Sequence, residues 1–335
     1  MNDLIQNQDY QDLLKKLGDT YLTGRKRVLQ AINSEVLLTY WEMGRYIVEY
    51  EQKGKIKAEY GKKILIQLAK DLKIQYDKGF SRSYLVYIRL FYIRYPKSET
   101  LFHQLSWSHY FEILKIDDEF ERSFYEKQAI LEKWSIQELR RQKKTALFAR
   151  LALSKDKQGI LDMAKEGFVP NQENDIIKDP FVFDFLGIEL PQKLKEKDLE
   201  KKLMEHLQIF LLELGKGFTF VGRQYRIVVD NTEYFVDLVF YHRILRCFVL
   251  IDLKINEVKH YDVGQMNFYL NYFSVEENIE GDNEPIRIIL TTEKNNVAIE
   301  YALRGITNRL LVAKYQLYLP DKELLMQKVR EILET

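Results

Sequence analysis

Cysteine is almost absent from this chain. Cys247 is its only one in 335 residues, so a disulfide framework and a cysteine-built zinc site are excluded. A reducing, cytoplasmic setting is expected, with Cys247 packing inside an apolar strand rather than reacting. The five histidines, His103, His109, His206, His242 and His260, show no zinc-ligand spacing. Proline is scarce too: Pro96 is the only one before Glu166, which permits long helices in the first half. No apolar run reaches the roughly 18 residues of a membrane span. The start, MNDLIQNQDY, lacks the basic and apolar segments of a signal peptide. Charge of one sign is also missing: 51 Lys and Arg face 50 Asp and Glu, a net of +1. Any nucleic-acid-binding surface must therefore be local. No phosphate-loop or dinucleotide fingerprint occurs, which removes support for a nucleotide-binding enzyme.

What is present is 46% hydrophobic residues, enough for cores, on a chain long enough for two domains. From about residue 10 to 165 the apolar period is helical. Leu13, Leu14, Leu17 and Tyr21 make one face; Ile32, Val36, Leu37, Tyr40, Gly44 and Ile47 make another. A helix over 62–72, a break at Asp77-Lys78-Gly79 and a helix from Arg82 to Arg94 capped by Ser81 have helix-turn-helix form. Arg82, Ser83, Tyr87 and Arg89 then lie outward, either as a DNA-reading face or as the outside of an αα-hairpin. Ser106 or Ser108 caps the helix carrying Tyr110, Ile113 and Leu114. Ser135-x-x-Glu138 has capping-box spacing and opens a basic helix with Arg140, Arg141, Lys143, Lys144 and Arg150. Those cations read equally as a solvated face or as phosphate contacts.

Residues 166–193 hold three of the six prolines and read as a linker, although Phe181, Phe183, Phe185 and Leu186 must pack somewhere. Residues 194–335 then alternate helices and strands. The helix over 195–214 buries Leu199, Leu203, Leu207, Phe210, Leu211 and Leu214. Glu200 continues that stripe while Glu205 points away, so Glu200 is either a site residue or a wet carboxylate near the helix start.

The second half is organised around YFVDLVFYHRILRCFVLIDLK, residues 234–254, which reads as a β-hairpin. Asp252 and Lys254 are two apart and share a strand face. If the turn centres on Ile244 and Leu245, Asp237 stands opposite Asp252 with Cβ atoms about 4.5–5.5 Å apart. Two carboxylates that close need a cation. A divalent metal would serve, with the Leu253 carbonyl as a further oxygen ligand; the alternative is strand-end acids bridged to Lys254. On this reading Asp237, Asp252 and Lys254 converge. Gln265 and Tyr269, four apart on the next helix, share a face, and Arg223 is a candidate for contacting a phosphate backbone.

The pattern resembles the core of the PD-(D/E)XK nucleases, with Asp237 as first acid and Asp252-Leu253-Lys254 as the acid-x-lysine. Val236 stands where that motif has proline. Gln265-x-x-x-Tyr269 is similar to a motif of the RecB-like branches. LSWSHY, WSIQELRRQ, HLQIFLLELGKGFTFVGRQYRI and GQMNFYLNYF extend a resemblance to the YhcG-type nuclease family over nearly the whole chain. The resemblance implies an all-helical, winged-helix-like N-terminal domain and an α/β restriction-endonuclease-like domain with a central mixed sheet. It implies a DNA endonuclease using Mg²⁺ or Mn²⁺, held by Asp237, Asp252, Leu253 and Glu200, with Lys254, Gln265 and Tyr269 catalytic and a role in recombination, repair or defence. Nucleic acid, first of all DNA, is the expected partner, and homo-oligomerisation is left open. The alternative is a non-cleaving DNA-binding or scaffold protein that keeps the fold.

Overall fold

The computed structural model describes residues 8–53, 58–76, 79–97, 105–178, 180–188, 195–255, 268–292 and 310–334. The chain divides into two compact bodies. One comprises Met1–Arg122 with Lys133–Leu139, the other Ser123–Glu132 with Arg140–Thr335.

Among the described residues of the first body the regular elements are all helices, with no strand. Its frame is the 46-residue helix α1 (Gln8–Lys53), joined by α2 (Ala58–Tyr76), α3 (Arg82–Arg94) and α4 (Trp107–Ile113). Gly44 lets α1 and α3 approach closely: a Cβ there would lie 2.4 Å from the Ile88 carbonyl oxygen. Leu37 on α1 and Leu85, Ile88 and Phe91 on α3 are fully buried. Ser81 starts α3 as expected, its hydroxyl accepting from the Tyr84 amide at 3.2 Å. Of the two serines proposed to cap α4, Ser106 does so, its amide donating to His109 Nδ1. The Ser135–Glu138 box also forms, with the Ser135 amide donating to Glu138 Oε2 at 2.6 Å. It opens α6 (Ile136–Lys144), which follows α5 (Glu119–Glu132).

The second body is built on a six-stranded mixed sheet of order β1-β6-β5-β4-β3-β2. Its strands are β1 (Phe181–Val182), β2 (Phe218–Val229), β3 (Thr232–His242), β4 (Cys247–Lys254), β5 (Ile286–Thr291) and β6 (Leu310–Gln316). β2, β3 and β4 are antiparallel neighbours; β4, β5, β6 and β1 run parallel. Asp230 and Asn231, both at positive φ, form the two-residue turn between β2 and β3. Short polar residues tolerate that conformation, and its twist matches a hairpin.

One sheet face carries α9 (Glu196–Glu205) and α10 (Leu207–Leu214); their Leu199, Leu203, Phe210 and Leu214 join Leu238, Phe240, Val249, Ile251 and Leu253 in one core. The expected single helix over 195–214 is broken at His206, whose ring packs on Phe185. The opposite face is covered by a helical segment over 268–277, with Tyr269, Leu270 and Phe273 against Ile227, Val239 and Leu250. Helix α7 (Leu147–Ala152), α8 (Lys157–Glu166) and the final helix α11 (Lys322–Glu334) belong to this body, α11 packing on the other two.

The stretch expected to be a linker is built into this core. β1 pairs in parallel with β6, and Phe181, Val182 and Phe183 are fully buried, Phe183 stacked on Tyr315. The physical reason lies in those phenylalanines: each large apolar side chain gains about 1.5–3 kcal/mol on burial, which outweighs the turn-forming residues around them. Residues 140–165, expected with the helical domain, also fold here. They are tied by Arg150, fully buried, which donates to Glu213 Oε1 at 2.5 Å, to the Pro180 carbonyl at 2.9 Å and to the Thr145 carbonyl at 2.8 Å. Among the described residues no helix is long and apolar enough to cross a membrane.

Candidate active site

The hairpin register is the one read from the sequence. Leu238 pairs with Ile251, Val239 with Leu250 and Phe240 with Val249, so paired numbers total 489. One step further Asp237 would meet Asp252, but the pairing ends at Leu238. β3 and β4 part there. Val236 packs into the core with Ile227 and Leu250, under the 268–277 segment, whereas Leu238, two residues on, packs into the core under α9 and α10. Strand alternation therefore fails at Asp237. Its carboxylate fills the fork: Oδ2 accepts from the Leu253 amide at 3.0 Å. Val236, in the place of the motif proline, is a fully buried residue of an interior strand paired with Tyr225. A β-branched side chain suits that position and proline does not.

Gln224 binds the same carboxylate from β2. It lies just past the register shift between Phe220 and Gly222, at φ +47. Its Nε2 donates to Asp237 Oδ1 at 3.2 Å and to Glu200 Oε2 at 2.7 Å. Two carboxylate oxygens from different elements thus converge on one nitrogen. Glu200 is buried on α9 and Glu205 exposed. Burial raises the Glu200 pKa, and the Asp237 charge adds to the rise; the Gln224 hydrogen bond and Arg223 oppose it. Arg223 itself is exposed.

Asp252 turns elsewhere. Its Oδ2 is bound by Nε and Nη2 of Arg287, which projects from β5, and both residues are buried. The Arg287 guanidinium lies 4.7 Å from the centre of the Tyr269 ring, a cation–π contact. Burial pushes its pKa down to about 9, with Asp237 acting in the opposite direction, so it remains protonated at neutral pH. Its Nη1 is buried and has no hydrogen-bond partner among the described residues. Tyr269 is buried and donates its hydroxyl to the Phe235 carbonyl at 3.2 Å. Lys254 lies 3.8 Å from Glu196 at the start of α9.

Asp237 thus reaches the main chain of the Asp252-Leu253-Lys254 run through the Leu253 amide, while Asp252 and Lys254 have further partners in Arg287 and Glu196. Each acid meets its own donors, the main chain and Gln224 for Asp237 and Arg287 for Asp252. Among the described residues no three His, Cys, Asp or Glu side chains converge as a metal set. Glu200 and Asp237 share the Gln224 donor, and their hard oxygens are of the kind that suits Mg²⁺ or Mn²⁺. Gln265 lies outside the described residues. Sequence reasoning missed Gln224 and Arg287. The usable signal for Arg287 was one cation inside the apolar run IRIILT, a position where an unpaired charge is costly.

The candidate nucleic-acid contacts divide likewise. Arg82 and Arg140 are exposed, and Lys144 is exposed with Asp184 3.6 Å away. Arg89 is engaged by Glu51 of α1 at 2.7 Å. Arg141 is held by Asp184 at 3.2 Å and over the Phe185 ring, and Arg150 is interior. Arg150 is thereby corrected from an outward cation to an interior one, while Arg89 and Arg141 are partly buried and each has an acid within its own body.

Comparison with known proteins gives two family matches that together cover most of the chain. Residues 174–330 match the YhcG PDDEXK nuclease domain and residues 17–150 the DUF1016 N-terminal domain. The Escherichia coli (strain K12) protein "Putative nuclease YhcG" is 36% identical over 342 residues, covering 92% of this chain and 90% of that one. A repair endonuclease from Pyrococcus abyssi aligns over 39% of this chain and 50% of its own at 17% identity, with a TM-score of 0.27.

Proposed function

This chain belongs to the YhcG family of PDDEXK nucleases, and from that premise we propose that it is a metal-dependent DNA endonuclease whose reaction centre is the fork between β3 and β4. The observation that supports this most is the gathering of Asp237, Glu200 and Gln224 at the point where the strands part, one residue from Asp252 and Lys254. An apolar sheet has no packing use for so many polar groups.

In this reading Asp237 and Glu200 hold a divalent cation, with Asp252 and the Leu253 carbonyl as further oxygens. When bound, such a cation supplies water activation and polarisation of the scissile phosphate. The chain's own groups do the rest. The Leu253 amide fixes the Asp237 carboxylate in direction. Lys254, at the open end of β4, orients the attacking water and opposes the charge that grows on the phosphorus oxygens. Arg287 holds the Asp252 carboxylate in place by two charge-assisted hydrogen bonds. Tyr269 holds Arg287 through its ring, and Gln265 belongs with these groups by its spacing. Exposed Arg82, Arg140 and Lys144 are the cations offered to the nucleic-acid backbone, together with Arg223.

A second reading, a binding protein without cleavage, draws on the pairing of Asp252 with Arg287, which occupies the carboxylate. One experiment separates them. Purified protein is incubated with supercoiled plasmid and with linear and branched duplexes in Mg²⁺, Mn²⁺, Ca²⁺ or chelator. Nicking in Mg²⁺ or Mn²⁺ that is lost in chelator and in Lys254→Ala supports the nuclease. Binding without cutting on every substrate would establish the second reading. A role in recombination, repair or defence follows from which substrate is cut.

A further inference from the structure

Gln224 sits in the fork on a backbone that a strand would not give it. The β2–β3 ladder pairs Arg223 with Leu238 and Tyr225 with Val236 but skips the step between them, where Gln224 stands across from Asp237. Gln224 is at φ +47, a left-handed conformation unfavourable for a side chain of this kind and one that persists where the surroundings use it. From there one side chain reaches both β3 and α9. Nε2 carries two hydrogens and has two carboxylate oxygens before it, Glu200 Oε2 at 2.7 Å and Asp237 Oδ1 at 3.2 Å. An ionised carboxylate only accepts hydrogen bonds, so the amide turns its nitrogen, not its oxygen, to this pair.

A divalent cation seeks the same atoms, the hard oxygens of carboxylates brought together from different elements. The place between them serves the amide or the cation, not both at once. The three side chains are not equally fixed. Glu200 is buried on α9, and Asp237 is held from its other oxygen by the Leu253 amide at 3.0 Å. Gln224 is exposed, so its amide can exchange both acceptors for water without disturbing the core.

We propose that Gln224 competes with the divalent cation for Glu200 and Asp237, as a neutral placeholder that swings out when the cation binds; this rests on those two acids being cation ligands, as proposed above. The residue type suits the task. A lysine there would bring its own charge and shut the cation out. An alanine would leave both acids without their shared donor. An exposed amide lies between these limits, because water replaces its hydrogen bonds at small net cost. The consequence is a higher cation concentration for filling the site. Gln224 is thus a positioning residue of the fork, not a ligand.

The test counts free Mn²⁺ by electron paramagnetic resonance as it is titrated into the full chain, with no nucleic acid and no turnover. Wild type should bind, and Glu200→Gln with Asp237→Asn should lose the binding. Gln224→Ala should bind about 3- to 10-fold more tightly than wild type, since the hydrogen bonds to Glu200 and Asp237 no longer have to be broken. Gln224→Gly takes up a positive φ without strain and should show the same gain. Gln224→Lys should bind at least about tenfold more weakly, its ammonium lying on the same oxygens. Equal or weaker binding in whichever of Gln224→Ala and Gln224→Gly keeps the wild-type circular dichroism overturns the placeholder, and weaker binding would make the Gln224 carbonyl a ligand; the cation site itself stands as long as binding still needs Glu200 and Asp237. Binding that survives Glu200→Gln with Asp237→Asn, or none in wild type and Gln224→Ala alike, overturns the cation reading of the fork and the placeholder with it.

Discussion

Arg287 and Asp252 form a buried ion pair between adjacent parallel strands, β5 and β4. The pair gives the acid of the acid-x-lysine run a structural role, whatever its part in the chemistry proposed above. Removing one partner of such a pair leaves a buried charge uncompensated, at a cost of about 3–5 kcal/mol. Asp252→Ala is therefore expected to lose that much stability by urea denaturation, together with cleavage. Asp252→Ala combined with Arg287→Met should recover most of the stability and none of the activity. A single Asp252→Ala as stable as wild type would show that the pair does not form.

Lys254 behaves differently, because its contact with Glu196 is long and partly exposed. Exposed pairs contribute about 0–1 kcal/mol. Lys254→Ala should keep its melting temperature within about 2–4 °C and lose about 10²–10³ in cleavage rate if it steadies the transition state. A rate loss matched by an equal loss of folded protein would remove Lys254 from the chemistry.

Glu200 gives a pH signature. Its pKa is raised in the folded protein, chiefly by burial. A raised carboxyl favours folding while protonated and opposes it once ionised, so its contribution is present below the unfolded Glu value of about 4.3 and is lost as pH rises through the folded value. Glu200→Gln should therefore melt higher than wild type near pH 8, and the gap should close as the solution is acidified. Activity should fall in the same variant. A gap that widens at low pH would contradict the assigned environment.

Nucleic-acid binding should separate Arg82 from Arg89. Arg82→Ala removes an exposed cation and should weaken duplex binding while lowering the salt slope by about one unit. Arg89→Ala breaks the contact with Glu51 between α3 and α1 and should act first on the stability of the helical body. Filter binding across a salt series, with melting curves on the same samples, distinguishes the two.

The sequence by itself determined the helical first half, the caps at Ser81 and Ser135, and the register of the 234–254 hairpin. These are local: periodicity, a hydroxyl three residues from an amide, and the position of one turn fix them. It also pointed to the acids and the lysine, because charges on apolar strands stand out in any reading. Tertiary structure alone decided which way those charges turn. Asp252 faces Arg287 because β5 lies beside β4, a neighbour 35 residues away. Asp237 faces Gln224 and Glu200 because a register shift in β2 and the packing of α9 bring them to the fork. Burial of Phe181 and Phe183 likewise made a sheet strand of what turn residues alone described as a linker. Each of these rests on contacts between segments far apart in the chain, which the spacing of residues along it does not encode.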